Sequence, residues 1–134
     1  NIAMYELEQR IIAKQSNLFD HCDEPERFDL ILTNPPYVPA LSMRTLPPEF
    51  QAEPEIALAA GSDGMEVIRN ILIAARHRLS ERGIIILELG HEIDAFVSAF
   101  PTLDFGTLPV AAGEEMVIII THEQLQAAGK AIAP

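Results

Sequence analysis

Two short apolar runs, Phe28–Thr33 and residues 84–89, constrain the fold of this chain more than any other feature. Each run is nearly continuous and too short for a buried helix, which is typical of strands that a parallel sheet buries on both faces. Between them, residues 63–81 carry apolar side chains at helical spacing. A strand, a connecting helix and a second strand in this order predict an α/β fold.

The predicted helix has signals at both of its ends. Asp63 with Glu66 predicts a capping box at its start, and Gly83 is expected to end it. Its core-facing positions are predicted to be Met65, Ile68, Leu72, Ala75 and Leu79. Weaker patterns predict the remainder of a helix at 2–9, a strand at 11–15, a turn at 16–20, a helix at 92–100, a terminal hairpin of strands 103–108 and 116–121, and a helix at 123–128.

The composition is that of one globular domain, residues 1–134. The chain has 134 residues, of which 49% are hydrophobic, and this is enough for a single core. Its formal net charge of -11 repels phosphate backbones, so direct binding of nucleic acid is not expected. A basic protein, by contrast, would be attracted to such a chain.

Cysteine content and hydropathy predict a cytoplasmic protein. Cys22 is the single cysteine, which excludes an intramolecular disulfide and a thiolate zinc site and fits a reducing compartment. The longest apolar runs fall far short of the roughly 20 residues that cross a bilayer, so no membrane segment is expected. The histidines are scattered along the chain, and no metal site is predicted.

The sequence Asn34-Pro35-Pro36-Tyr37 directly follows the first predicted strand. Ligands of open α/β sheets bind beyond the carboxyl ends of the strands, so these residues are candidates for a site. The Asn34 side-chain oxygen and the Pro35 carbonyl can together accept both hydrogens of a planar NH2 group, and proline adds no donor. The Tyr37 ring can stack on the same plane. An amide or an aryl amine is the predicted ligand, although Asn and Pro are also ordinary turn residues.

Three further features have both a functional and a structural interpretation. Glu53-Pro54-Glu55 lies in a proline-rich segment, residues 35–54, which we predict to be an ordered loop or lid, although its acidic residues also fit a solvated loop. His91 and Glu92 follow the second strand and either touch a substrate or cap the surface. Glu88 is unusual inside an apolar strand, because a buried carboxylate needs a partner.

The longer stretch NPPYVPALSMRTLPPEFQAEPEIALAAGSDGMEVIRNIL resembles the HemK-type protein glutamine methyltransferases. Its Leu-Pro-Pro-Glu-Phe segment is most similar to the PrmB branch of that family, which methylates the side-chain nitrogen of a glutamine in large-subunit ribosomal protein L-three. The resemblance covers residues 17–125. It implies an α/β fold, a partial class I S-adenosylmethionine-dependent methyltransferase (Rossmann-like) sheet that lacks its first two strands and ends in an antiparallel hairpin.

The resemblance also implies a substrate site and a catalytic role for residues 34–37. Asn34 would bind the substrate amide close to the methyl group of the cofactor, S-adenosylmethionine. Pro35 would offer its carbonyl, Pro36 would belong to the same substrate site, and Tyr37 would pack against the glutamine.

On the cofactor side, the resemblance implies that Asn17 and Leu18 border the adenine and that Asn34 also contacts the cofactor. Asn17 stands where an Asp is common, and Ala52 stands where a His is expected. The family's glycine-rich loop and its acidic ribose-binding residue have no counterpart and would precede Asn1. The chain is therefore expected to be the carboxyl-terminal part of a catalytic domain and to be inactive alone.

Three other functions remain open from the sequence. A peptide chain release factor is an alternative substrate, because release-factor enzymes share the motif. A DNA adenine amino-methyltransferase would share the amine site but needs base flipping and a positive groove, which the charge disfavours. A binding module without catalysis would explain the missing cofactor loop. In the sheet of the family that the chain resembles, the strand that contains residues 30–33 pairs with the missing first strand. The resemblance therefore implies an unpaired edge, and we expect dimerisation, or rearrangement of residues 1–16, across it.

Overall fold

Four strands form one open sheet in the computed structural model, which describes residues 1–22, 26–37, 63–111 and 113–132. The strands are β1 (Phe28–Thr33), β2 (Leu79–Glu88), β3 (Gly106–Val110) and β4 (Gly113–Thr121). Their order across the sheet is β1-β2-β4-β3. The part of the predicted lid beyond Tyr37, including Ala52 and Glu53-Pro54-Glu55, lies outside the described residues.

The sheet is mixed, and β2 lies inside it. β1 runs parallel to β2, whereas β4 runs antiparallel to β2 on its other side. β3 and β4 form the antiparallel hairpin that the sequence predicts. The predicted α/β class with a terminal hairpin is confirmed.

The α-helices of the described chain are α1 (Glu66–Arg78), α2 (Ile93–Ala99) and α3 (His122–Ala128). The predicted capping box does not form at α1, because the helix begins after Met65 and the Asp63 carboxylate instead accepts a hydrogen bond from Met65 N at 2.9 Å. A capping box does form at α3, between Thr121 and Gln124. No helix in the described ranges is long and apolar enough to cross a membrane.

The core lies between the sheet and helices α1 and α3, which contact each other and β2. Every core position predicted for the first helix is buried, including Leu79, which is the first residue of β2. The remaining core is built from the central strands and the shorter helices. Its members include Ile85 and Leu87 of β2, Ile118 and Ile120 of β4, Phe96 of α2 and Leu125 of α3.

β1 is not buried on both faces, contrary to the prediction. Ile31 is buried, but Leu30 and Leu32 are 51% and 73% exposed. The reason is the position of β1 at one edge of the described sheet, where β2 is its single neighbour. β1 therefore has the sequence of a covered strand and the position of an edge strand.

Residues 1–15 do not form the helix and strand predicted for them. Ala3–Tyr5 makes one turn of 3-10 helix, and residues 11–15 pair with no strand among the described residues. Tyr5 and Ile12 are 68% and 80% exposed. A short helix or a lone strand gains little stability without a neighbour to pack against, and these residues have none of the buried contacts that would supply it.

Gly83 lies inside β2 and does not end α1, which ends at Arg78. A Cβ at this position would lie 2.7 Å from the backbone oxygen of Phe28 and 3.0 Å from the backbone nitrogen of Ser80. The register between β1 and β2 shifts nearby, between Phe28 and Leu30. The close approach of the two backbones, rather than helix termination, therefore requires a glycine here.

We expect Gly83→Ala to lower the free energy of unfolding by roughly 1–3 kcal/mol, because the added methyl group meets backbone atoms that cannot rotate away. Gly106→Ala is the matched control, since a Cβ there would meet the side-chain Cγ2 atom of Ile119 at 3.1 Å. Urea unfolding curves of both variants measure the difference. Equal losses of stability in the two variants would contradict this explanation.

Candidate functional site

The carboxyl ends of β1 and β2 meet at one edge of the sheet, because the two strands are parallel. Residues 34–37 follow β1 there, and a turn of residues 89–92, here called the β2 turn, follows β2. Glu92 N donates to Leu89 O at 3.1 Å within this turn, and Leu89 N donates to Met116 O of β4 at 2.8 Å. Two segments thus frame the region in which open α/β sheets bind ligands.

Residues 34–37 differ in how deeply they are buried. Pro35 is buried, Pro36 and Tyr37 are half-buried, and Asn34 is exposed. Proline has no N–H group, so the burial of Pro35 leaves no backbone donor without a partner. The segment is therefore fixed at Pro35, while the Asn34 amide stays open to a ligand.

The Tyr37 ring lies against Gly90 of the β2 turn. A Cβ on Gly90 would lie 2.8 Å from Tyr37 Oη and 3.0 Å from Cζ, which is closer than real side chains approach. Burial, and then the negative charges of Glu88 and Glu92, raise the pKa of Tyr37 above its ordinary value of 10.0. The phenol therefore remains protonated near neutral pH and can donate a hydrogen bond.

A cavity of about 470 Å³ lies beside Pro36. Its walls come from the turn that follows residue 16, from Pro36 and from α1. The lining residues are Asn17, Leu18, Phe19, Asp20, Pro36, Val67, Asn70 and Ala74. Apolar walls with a few amide and carboxylate groups are typical of sites for small organic ligands, and the volume is within the usual range.

Hydrogen bonds hold the turn that carries Asn17 and Leu18. Asp20 N donates to Asn17 O at 3.1 Å, and Asn17 Nδ2 donates to Asp20 Oδ2, also at 3.1 Å. His21 N donates to Ser16 Oγ at 2.9 Å. Leu18 has a φ of 51°, in the left-handed region that leucine rarely adopts. The predicted turn is confirmed, and it is a constrained segment at the wall of the cavity.

The structure brings the predicted cofactor residues next to the predicted substrate segment. Asn17 and Leu18 share the cavity with Pro36. Asn34 and Tyr37, although both are described, do not line it. Residues 34–37 therefore border the cavity through Pro36 and the β2 turn through Tyr37.

Sequence reasoning missed the wall that α1 contributes. Val67, Asn70 and Ala74 follow the i, i+3, i+7 spacing of one helix face, next to the buried face that includes Ile68. That spacing was the available signal, because Asn70 is a polar residue on the same face as two small apolar ones. Gly90 gave no such signal, since its constraint comes from Tyr37, which is distant in the sequence.

The described residues offer acceptors and apolar walls rather than metal ligands. Among them, no group of three or more His, Cys, Asp or Glu residues could hold a metal ion. The Asn34 side-chain oxygen and the Pro35 carbonyl can accept hydrogen bonds, and the adjacent cavity has room for a flat ring. Two neighbouring ligand positions, one polar and one mostly apolar, fit this arrangement.

Curated relatives cover nearly the whole chain. Over 125 residues, 93% of the chain, it is 44% identical to the ribosomal protein uL3 glutamine methyltransferase of Bordetella pertussis. Proteins of the same name from Neisseria gonorrhoeae and Francisella tularensis are 41% and 36% identical over the same share. The chain spans 40–42% of the length of these relatives. No family model matches the chain.

The sheet order, the site beyond the parallel strands and these relatives together define a partial Rossmann-like methyltransferase fold. More narrowly, the chain is similar over 93% of its length to ribosomal protein uL3 glutamine methyltransferases. The resemblance to the PrmB branch of the HemK-type enzymes is thereby confirmed.

Proposed function

We propose that this chain forms the amide-binding part of a catalytic domain that methylates the side-chain nitrogen of a glutamine in ribosomal protein uL3. One observation carries the proposal: residues 34–37 follow β1 at the site edge of the sheet and border, through Pro36, a cavity that Asn17 and Leu18 also line. Asn34, Pro35 and Tyr37 are the proposed catalytic residues, and Pro36 completes the substrate site.

In this proposal, Asn34 and Pro35 hold the substrate amide. The Asn34 side-chain oxygen and the Pro35 carbonyl accept its two hydrogens, and the Tyr37 ring packs against the glutamine side chain. When bound, S-adenosylmethionine would supply an activated methyl group: the amide nitrogen would bond to the methyl carbon as the carbon–sulfur bond breaks, a neutral thioether would leave, and the amide proton would pass to water. Because that methyl group is already activated, the residues of this chain contribute mainly through orientation.

The cavity beside Pro36 suits the adenine end of S-adenosylmethionine. Leu18 and Val67 supply apolar walls, while Asn17 and Asp20 supply polar groups that hold each other at 3.1 Å. Asn17 donates a hydrogen of its side-chain amide to Asp20, so its side-chain oxygen is left to accept a hydrogen bond from the adenine amino group. The Asp that is common at this position in the family would accept in the same way. The chain carries no counterpart of the family's glycine-rich loop, so we expect these 134 residues alone to bind the cofactor weakly or not at all.

A ribosomal protein is favoured over the other candidate substrates. The relatives are named for uL3. A net charge of -11 attracts a basic protein and repels the phosphates of DNA, which argues against an adenine methyltransferase. A release factor would be methylated on a glutamine by the same chemistry, so the names of the relatives are the reason to prefer uL3.

The test uses a chimera in which this chain replaces the matched segment of the Bordetella pertussis relative. The chimera is incubated with labelled S-adenosylmethionine and, separately, with uL3, a release factor and duplex DNA. We expect label to be transferred to uL3. Transfer to the release factor or to DNA would overturn the choice of substrate, and binding of uL3 with no transfer to any substrate would favour a binding module.

We further propose that a second copy of the chain pairs with the edge of β1 on which the described sheet has no further strand. A groove of about 310 Å³ runs along this strand, and its lining includes Leu30, Leu32 and Phe28. Two exposed strand edges can pair antiparallel about a two-fold axis, which satisfies backbone groups and covers the leucines of both copies. Residues 1–16, which in the predicted alternative rearrange across this edge, form no strand in the described structure.

Leu32→Lys is expected to weaken this dimer about tenfold or more, because two lysines would replace apolar side chains at the edge. Val97→Lys is the control, since Val97 is an exposed apolar residue of α2 outside β1. Sedimentation equilibrium of the 134-residue chain measures both variants. A monomer at every concentration of the unsubstituted chain would contradict the proposed pairing.

A further inference from the structure

Gly90 occupies a place in the β2 turn where a side chain would collide with the Tyr37 ring. Its φ is +56°, and a Cβ there would lie 2.8, 3.0 and 3.2 Å from Tyr37 Oη, Cζ and Cε2. All three atoms belong to the same side chain, and Gly90 itself is buried. The contact that forbids a side chain at Gly90 is therefore a contact with one residue of the proposed amide site.

We propose that Gly90 is a positioning residue, whose missing side chain leaves the space in which the Tyr37 ring lies and so aims that ring at the substrate amide. The inference rests on the proposed function, because it takes Tyr37 to pack against the glutamine. It adds that the end of β2, and not residues 34–37 alone, determines how the amide is held.

Neighbouring groups support this role for the β2 turn. Hydrogen bonds from Leu89 N to Met116 O and from Glu92 N to Leu89 O tie the turn to β4 and close it. Glu88 and Glu92 lie close enough for their charges to raise the pKa of Tyr37, after the effect of its burial. The ring thus lies against a buried glycine and within range of the charges of Glu88, at the end of β2, and Glu92, in the β2 turn.

A purely local need for glycine at a left-handed φ is the competing explanation, and Gly129 separates the two. Gly129 has a φ of +57°, but apart from its chain neighbours no atom of the described residues lies within 4 Å of the position that a Cβ would take there. Alanine is therefore placed at a positive φ at both glycines, while it meets the Tyr37 ring at Gly90 alone. Because the ring is the far end of a side chain, the ring rather than the backbone is expected to move.

The 134-residue chain allows a direct reading of the Tyr37 environment. Tyr5 and Tyr37 are its two tyrosines, and it has no tryptophan. In a Tyr5→Phe background, the ultraviolet absorbance of tyrosinate follows the titration of Tyr37 alone, and its ring resonances are measured by NMR at neutral pH. Circular dichroism at each pH limits the titration to folded protein.

We expect Gly90→Ala to move the Tyr37 titration midpoint down toward 10.0, the ordinary value, and to shift its ring resonances, because the ring leaves the burial and carboxylates that raise its pKa. Gly129→Ala should change neither. Unchanged Tyr37 signals in Gly90→Ala, or equal changes in both variants, would overturn the inference. If Gly90→Ala does not fold, adding Tyr37→Leu should restore folding, because the smaller side chain leaves room for the alanine. A double variant that still does not fold would show that the defect lies in the backbone and would also overturn the inference.

The chimera separates this inference from the proposed function. Gly90→Ala should lower methylation of uL3 by about tenfold or more, because a displaced contact near the reacting atoms disturbs orientation. If Gly90→Ala changes the titration midpoint and ring resonances of Tyr37 but leaves methylation unchanged, the position of the ring does not matter for catalysis. That result would overturn the inference. Loss of methylation in the unsubstituted chimera would instead overturn the proposed function, while the titration would still decide whether Gly90 positions Tyr37.

Discussion

Asn34→Ala in the chimera is expected to lower kcat/KM for the methylation of uL3 by about 10²–10³-fold. The alanine methyl group cannot accept a hydrogen from the substrate amide, and the Pro35 carbonyl alone leaves that amide free to rotate. Orientation is the main contribution that we assign to this chain, so the loss should fall on the chemical step as well as on binding. Asn34 is exposed, and its replacement should change stability by less than about 0.5 kcal/mol.

Gln9→Ala is the control for this substitution, because Gln9 is also an exposed amide side chain and lies in the amino-terminal segment. Single-turnover rates and unfolding curves are compared for the two variants. An Asn34→Ala chimera whose rate stays within about twofold of the unsubstituted one would exclude the proposed amide contact.

Ala74→Phe is expected to weaken binding of S-adenosylmethionine to the chimera by about 10²-fold or more, which corresponds to about 3 kcal/mol. Ala74 is a half-buried residue of α1 that lines the cavity beside Pro36, so a phenyl ring there would fill the space assigned to the adenine. The buried face of α1, which includes Ile68 and Leu72, is left unchanged. The effect should therefore be on binding rather than on folding.

Ala127→Phe provides the same change of volume on α3, where Ala127 is exposed. Calorimetric titration with S-adenosylmethionine measures the Kd of each chimera. Equal affinity of the Ala74→Phe and Ala127→Phe chimeras would remove the cavity from the cofactor site, whereas the assignment of Asn34 to the amide would be unaffected.

The features that the sequence predicted correctly depend on local patterns. The core face of α1, from Ile68 to Ala75, follows from helical spacing, and the hairpin of β3 and β4 follows from two apolar runs joined by a short turn. The turn around Asn17 is closed by hydrogen bonds between residues close in sequence. Interactions of this range can be inferred from spacing and residue type.

The features that the sequence did not predict depend mainly on neighbours distant in the chain. The exposure of Leu32 follows from the edge position of β1, and the glycines at 83 and 90 are required by Phe28 and Tyr37. The start of α1 was misplaced for a local reason, because Asp63 bonds Met65 N rather than capping the helix with Glu66. Sequence periodicity predicts none of these contacts, because it shows which residues share a face of a helix or strand but not which distant residues pack against that face.

The central claim is that residues 34–37 hold the side-chain amide of a glutamine for methylation. Fragmentation mass spectrometry of uL3 after incubation with the chimera and S-adenosylmethionine tests it most directly, because it locates the added methyl group. We predict one methyl group on the side-chain nitrogen of a glutamine, absent when the chimera carries Asn34→Ala. A methyl group on another residue type, or one that persists in the Asn34→Ala chimera, would contradict the claim.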